Sequence, residues 1–247
     1  MKAMIFAAGL GTRLKPLTDM LPKALVPVGG RPLLEIVLER LAGNGFNEVV
    51  INVHHFADLI EEWVEQFRQR PEAAGMTISL SDERAQLLET GGGIRHARAL
   101  LSDADRFLIH NVDILSNVDF DAFWKAGAQA AATLLVSQRD TQRYLLFDDD
   151  MRLVGWTNTK TGEVKSPYPN LQPEKYQKLA FAGIHQMSTS LFPRMDAWPE
   201  KFSIIDFYLS VCHEVPIMGY VQPDMQMMDV GKLDSLPQAD AFLEHLK

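Results

Sequence analysis

Short, mainly apolar runs alternate with segments of helical period through the first half of the chain. Ala3–Ala8, Val49–Val53 and Phe107–Ile109 read as buried strands. Between the first two, Leu33, Ile36, Val37 and Leu41 form one stripe of helical spacing. Ile60, Trp63, Val64 and Phe67 form a second. Pro32 suits the first turn of the earlier helix, and Gly43 and Gly45 suit its end. Met76–Leu80 alternates like another strand, and Ile94–Leu101 reads as a helix behind a glycine run. Strands alternating with helices imply right-handed crossovers and a mostly parallel sheet covered on both faces. The expected fold is a single Rossmann-like α/β/α domain with a mostly parallel, mixed central sheet.

The second half is less regular. Ala131–Val136 reads as a strand, and Tyr144–Phe147 and Arg152–Trp156 flank Asp148-Asp149-Asp150 as the arms of a hairpin. That aspartate run reads as a solvated turn rather than a metal site. Lys160–Pro173 is rich in Pro, Thr, Lys and Gly and predicts a long loop. Phe181–Met187 and Val215–Val221 are strand candidates; Ile204–Cys212 and Ala239–Leu246 are helix candidates. There is no internal repeat and no low-complexity linker, so residues 1–247 read as one domain.

Bulk properties narrow the function. Apolar residues make up 47% of the chain, enough for a sizeable core, and the formal net charge is -8. That charge argues against a nucleic-acid partner, which calls for a basic surface. It leaves phosphate binding open, because a few local cations and backbone N–H groups suffice. The one cysteine, Cys212, lies in an apolar stretch and reads as core filler. No apolar run approaches the roughly 20 residues of a membrane span. A reducing, cytoplasmic location without membrane association is the expectation.

Chemistry concentrates in Ala8-Gly9-Leu10-Gly11-Thr12-Arg13, directly after the first strand, and continues to Pro22-Lys23. Glycines at the carboxyl end of such a strand let the backbone approach a phosphate. Arg13 offers a planar fork for phosphate oxygens, and Lys23 a compact charge. Two familiar motifs are absent. Leu14 stands where a dinucleotide fingerprint needs a third glycine, and no Gly-Lys-Ser/Thr follows. Glycines alone would fit a loop with no ligand; the joint spacing with Arg13 and Pro22-Lys23 is more specific.

This pattern resembles the signature of the sugar-1-phosphate nucleotidyltransferases. The matching stretches are Met1–Leu34, Leu88-Glu89-Thr90-Gly91-Gly92-Gly93-Ile94, Phe107–Ile114, Phe181-Ala182-Gly183-Ile184 and Met228-Asp229-Val230-Gly231. The chain is similar to the short members of that family that act on N-acetylmuramate 1-phosphate with UTP. The resemblance implies a GT-A-like fold and a Mg²⁺-dependent reaction. An NTP, here UTP, and a sugar 1-phosphate, here N-acetylmuramate 1-phosphate or a related hexose 1-phosphate, would give an NDP-sugar and pyrophosphate. It also implies the roles of individual residues. Arg13, Lys23 and Asp113 would be catalytic. Ala8, Gly9, Leu10, Gly11, Thr12, Arg13, Lys23, Glu89, Gly91, Gly92 and Asn111 would hold the nucleotide, with the base resting on the glycines before Ile94. Gly183, Asn158 and Asn170 would face the sugar, and Asp113 and Asp229 would bind the metal. Mg²⁺ needs only one or two carboxylates beside water and substrate phosphates, so two aspartates meet the requirement. Each could instead cap a turn.

Two departures stand out. Val112 replaces the glycine usual before the metal aspartate, which predicts a shifted ribose or a slower reaction. Gly155-Trp156-Thr157-Asn158 replaces a Glu-Lys pair common on the sugar side. His54, His55 and His185 have no partner at metal-ligand spacing and read as structural. A regulatory nucleotide binder on the same fold, a transferase using another base, and one for a non-sugar phosphate such as phosphocholine stay open. A dinucleotide-dependent oxidoreductase is disfavoured by Leu14. Without a hexapeptide-repeat β-helix after the catalytic residues, a monomer or homodimer is expected.

Overall fold

The computed structural model describes residues 1–246. The strands are β1 (Lys2–Phe6), β2 (Pro27–Val28), β3 (Arg31–Pro32), β4 (Glu48–Val53), β5 (Thr77–Asp82), β6 (Arg106–Asn111) and β7 (Ile114–Ser116). They continue with β8 (Ala132–Ser137), β9 (Arg143–Phe147), β10 (Leu153–Asn158), β11 (Val164–Lys165), β12 (Gln177–Ser188), β13 (Ile217–Val221) and β14 (Met227–Asp229). The helices are α1 (Leu33–Gly43), α2 (Ala57–Phe67), α3 (Glu89–His96), α4 (Arg98–Leu101), α5 (Phe120–Ala126), α6 (Phe192–Met195), α7 (Ile204–Val211) and α8 (Leu236–His245).

Ten strands form one mixed sheet with the path β11-β10-β9-β12-β6-β1-β4-β5. β5, β4, β1 and β6 are parallel, as the alternation of strands and helices required. β12 then runs antiparallel to β6, and it also pairs with β8 and β9, so one long strand carries both branches of the second half. It does so through a bulge between Phe181 and His185.

Side chains of the parallel strands alternate between two apolar clusters. Ala3, Ile5, Val49, Ile51 and Leu108 face α1, α2 and α5. Met4, Val50, Phe107 and Ile109 face the layer of α3, α4, α6 and α7. A strand buried on both faces must be apolar at every position, which is why these segments read as runs rather than as alternating strands. α1 ends where Gly45 takes φ +80°. Gly45 N–H then donates to Ala42 O at 2.9 Å and Phe46 N–H to Leu41 O at 2.9 Å, closing the helix.

Three features differ from the sequence expectation. The helix after the glycine run begins at Glu89, so Gly91, Gly92 and Gly93 lie inside α3. A Cβ on Gly91 would sit 2.3 Å from the Phe202 ring, and one on Gly92 2.4 Å from Glu200 O. The glycines therefore let the segment before α7 press onto the helix, which outweighs their poor helix propensity. The short ladder of β7 with β14 and the helix α5 were not anticipated, since three-residue strands carry too little periodicity to read. Lys160–Pro173 is mostly loop, as expected, with β11 inside it.

His110 and His185 are buried in this frame. His185 Nδ1 lies 3.0 Å from Tyr208 Oη, and His110 Nδ1–H donates to Asn111 O at 2.8 Å. Burial lowers the pKa of His110 to about 4 and that of His185 to about 3. An unfolded histidine gains its proton near pH 6.5, so the unfolded state is favoured progressively as pH falls from there toward those depressed values. Urea unfolding at pH 8 and pH 5 should show a loss of about 2 kcal/mol from each of these histidines. His185→Gln should remove its share of that slope; an unchanged slope would mean that the ring ionises freely in the fold.

Candidate active site

The parallel strands end together at one edge, where open α/β sheets bind ligands. There the chain leaving β1 is held by β4: Ala7 N–H and Ala8 N–H both donate to Asn52 Oδ1, at 2.8 and 3.3 Å. Asn52 Nδ2 in turn donates to Glu83 Oε1 at 2.7 Å, and Leu88 N–H donates to Glu83 Oε2 at 3.2 Å. Asn52 and Glu83 are both buried. One network thus fixes the glycine loop after β1 relative to the segment that opens α3. The sequence reading passed over both residues. Their signal was a polar residue interrupting the run Val49–Val53, and an acid just past β5.

Within the loop, Gly11 takes φ +62° and its O accepts from Leu14 N–H and from Thr18 Oγ1–H, each at 2.8 Å. A Cβ there would meet Thr18 Cγ2 at 2.8 Å, so both backbone angle and space demand glycine. Gly9 has open space around its Cα, and Leu10 and Thr12 are exposed on the same loop. Leu14 is fully buried and pins the turn that carries Arg13.

Three further segments bring charge to this edge. Lys23 opens a 3-10 turn, and its ammonium is ion-paired with Asp113 Oδ2. Asp113 follows β6; Asp229 closes β14. The β7–β14 ladder sets Asp229 opposite Ile114, and Val230 N–H donates to Asp113 O at 2.8 Å, so the two aspartates are neighbours across the ladder. Gly231 leaves room for this convergence: a Cβ there would lie 2.5 Å from Asp229 Oδ1 and 2.7 Å from Arg13 Nη2. Burial raises the pKa of Asp229, and the charge of Asp113 raises it further; Lys23, Arg13 and Arg139 oppose the shift.

Asp229 Oδ1 is buried without a hydrogen-bond partner. A buried carboxylate oxygen left unmatched beside a second carboxylate is costly, and a divalent cation would satisfy it. Among the described residues no set of three or more His, Cys, Asp or Glu side chains gathers as a metal site. Asp113 and Asp229 offer oxygens only, a donor pair that would fit Mg²⁺, which needs only one or two carboxylates.

A cavity of about 260 Å³ lies beside these charges. Of the expected nucleotide residues, Ala8, Gly9, Lys23, Glu89 and Asn111 line it, as does Asp113. Glu89 holds φ +61°, a conformation an L residue rarely takes, at the mouth of α3. Gly91 and Gly92, expected under the base, are not among the residues that line this cavity. Both are buried, and both of their N–H groups donate to Phe202 O, at 2.9 and 3.2 Å. Leu87, Glu89 and Thr90 present the wall instead. Val112 touches the cavity, but its side chain is buried in the apolar cluster on the α1 side, and its N–H donates to Phe6 O at 3.2 Å.

Of the residues expected to face the sugar, Gly183 takes φ +77° within the β12 bulge, and a Cβ there would lie 2.9 Å from Asn111 Nδ2. Asn158 lines a separate groove of about 530 Å³ with Trp156 and Phe181. Asn170, expected beside it, is exposed in a turn at φ +57° and is not among the groove's lining residues. His54 and His185 hydrogen-bond to Glu83 O and Tyr208 Oη, in keeping with structural roles. Cys212 is buried, with its thiol pKa pushed up to about 11, and is inert core.

Comparison with known proteins places this geometry. Residues 2–147 match the family described as Nucleotidyl transferase. The chain is 34% identical to the N-acetylmuramate alpha-1-phosphate uridylyltransferase of Caulobacter vibrioides, over 98% of this chain and 96% of that one. It is 43% identical to the enzyme of the same name from Neisseria meningitidis serogroup B, over 52% of this chain and 53% of that one. The fold superposes on UDP-glucose pyrophosphorylase from Acinetobacter baumanii with a TM-score of 0.78 at 18% identity, covering 99% of this chain and 94% of that one. With its glycine loop, Arg13, Lys23 and paired aspartates gathered at the strand ends, the chain belongs to the nucleotidyl transferase family, among the sugar-1-phosphate nucleotidyltransferases.

Proposed function

We propose that the protein is a Mg²⁺-dependent uridylyltransferase that joins UTP to N-acetylmuramate 1-phosphate, releasing pyrophosphate. The observation that carries the reaction is the meeting of Arg13, Lys23, Asp113 and Asp229, with Asp229 Oδ1 buried and unpartnered. The substrate assignment rests on the likeness to the Caulobacter vibrioides enzyme along nearly the full length of both chains.

The incoming sugar phosphate is already nucleophilic, so no side chain need act as a general base; positioning and charge stabilisation supply the rate. The glycine loop offers N–H groups to the triphosphate while Asn52 and Glu83 hold it still. Arg13 and Lys23 face the leaving pyrophosphate. Lys23, paired with Asp113 here, shifts its charge to phosphate as substrate arrives. Asp113 and Asp229 would hold a Mg²⁺, whose charge would offset that of the reacting phosphates. Glu89 and Thr90 face the base. The reading puts the enzyme in the cytoplasm, as a monomer or homodimer; no described helix is long and apolar enough to cross a membrane.

Pyrophosphate release from each of the four NTPs with Mg²⁺ and a panel of sugar 1-phosphates should be fastest for UTP with N-acetylmuramate 1-phosphate. Nucleotide binding without release for any pair would leave a regulatory protein. Lys23→Ala and Asp113→Ala should each lower turnover by at least about 10²-fold, as for other preorganised charges; turnover within about threefold of wild type would remove that residue from the mechanism. Asp229→Asn should lose at least about 10²-fold while its metal-free melting temperature stays level or rises, because a buried charge beside Asp113 is removed. A marked fall in melting temperature would show instead that Asp229 is there for the fold.

A further inference from the structure

The groove beside the active site has a charge pattern that a neutral sugar does not explain. Its floor is one face of the β9–β10–β11 sheet. Arg143 pairs in register with Asn158, Leu145 with Trp156, and Trp156 with Lys165, so these side chains share a surface. The start of α7 forms a wall through Ser203 and Asp206. Arg139 stands at the inner end. It is held by a hydrogen bond from Nη2 to Phe181 O at 3.0 Å, and its charge is felt at Asp229. Ser137, two residues before Arg139, lies 4.0 Å from Met227, two residues before Asp229, so this end of the groove is the one nearer the paired aspartates.

Three cations and two carboxylates face this space. Lys165 is spoken for: its Nζ lies 3.0 Å from Asp206 Oδ1 and 5.3 Å from the centre of the Trp156 ring. Among the described residues, neither Arg139 nor Arg143 makes an ion pair, although Glu163 also borders the groove. Arginine offers donors only. A neutral hexose presents hydroxyls that both give and accept, so two unpaired guanidiniums are poorly matched to it. They match a planar anion, which arginine grips with two parallel bonds. The 1-phosphate does not fill this need, since it must lie inward, at Arg13, Lys23 and the aspartates. Trp156, half-buried with its ring in the groove, offers an apolar face for the sugar body.

We propose that this groove is a carboxylate-reading subsite: Arg143, assisted by Arg139, binds an acid group carried on the sugar and selects acidic sugar phosphates over neutral ones. The proposal rests on the sugar-1-phosphate reading and assigns its specificity to two residues that lie outside the catalytic charges. Gly155-Trp156-Thr157-Asn158 adds no carboxylate from β10, and of the two that border the groove Asp206 is paired with Lys165.

Calorimetric binding tests it without turnover. N-acetylmuramate 1-phosphate and its carboxyl methyl ester are titrated into the full chain with Mg²⁺ and a UTP analogue blocked at the α–β bridge. The acid should bind at least about tenfold tighter than the ester, the scale of a charge-assisted bond. Arg143→Gln should shrink that ratio to within about twofold, Arg139→Gln should reduce it as well, and Arg143→Lys should keep part of it. Equal binding of acid and ester by wild type, or an unchanged ratio in both glutamine variants, overturns the subsite. Discrimination by a protein that releases no pyrophosphate from any NTP supports the subsite and defeats the transferase reading instead.

Discussion

The structure depends on an unresolved charge imbalance at the open edge of the sheet. Asp113 and Asp229 are held as neighbours by the β7–β14 ladder, yet only Asp113 has a cation directly on it. One oxygen of Asp229 is buried with nothing to accept from. Repulsion between two carboxylates in a partly dry site opposes folding unless a cation joins them. Under the proposed function, a divalent cation would complete the pairing of Asp229, and charged groups fixed in advance would face the charge that develops during reaction. That is what catalysis by preorganised electrostatics requires.

The scaffold around that imbalance is arranged to keep it rigid. The glycine loop has almost no side chains with which to fix itself, so its geometry is borrowed from β4 and β5 through Asn52 and Glu83. A Cβ on Gly231 would crowd Asp229 and Arg13, and one on Gly11 would crowd Thr18 and the stem of Lys23. The glycines of α3 do a different job, letting the chain before α7 close over the helix and set the wall that carries Glu89 and Thr90. The proposed specificity groove lies away from this centre, on the antiparallel half of the sheet, where β9, β10 and β11 present side chains. On that reading the reaction chemistry sits at the ends of the parallel strands and substrate choice on the antiparallel strands beyond β12.

Much of this was legible in order along the chain. The parallel strands announce themselves because strands buried on both faces must be apolar throughout. The glycine loop, Arg13 and Lys23 are recognisable because their chemistry is local in sequence. Asn52 and Glu83 were missed because a buried polar residue and an exposed one look alike until burial is known. The packing of Phe202 and Glu200 against two glycines of α3 is invisible in the sequence, which shows that side chains are absent but not which neighbour takes the space.

Thus the sequence by itself determined the α/β class, the family and the residues able to carry phosphate and metal chemistry. Periodicity, composition and short motifs are properties of neighbouring residues, and these features are written in them. Tertiary structure alone decided that Asp113 and Asp229, 90 or more residues from Arg13 and Lys23, share one edge, and that Arg139 and Arg143 face a groove without partners. Such contacts depend on strand order and register, which are fixed by packing the whole sheet at once and leave no local trace.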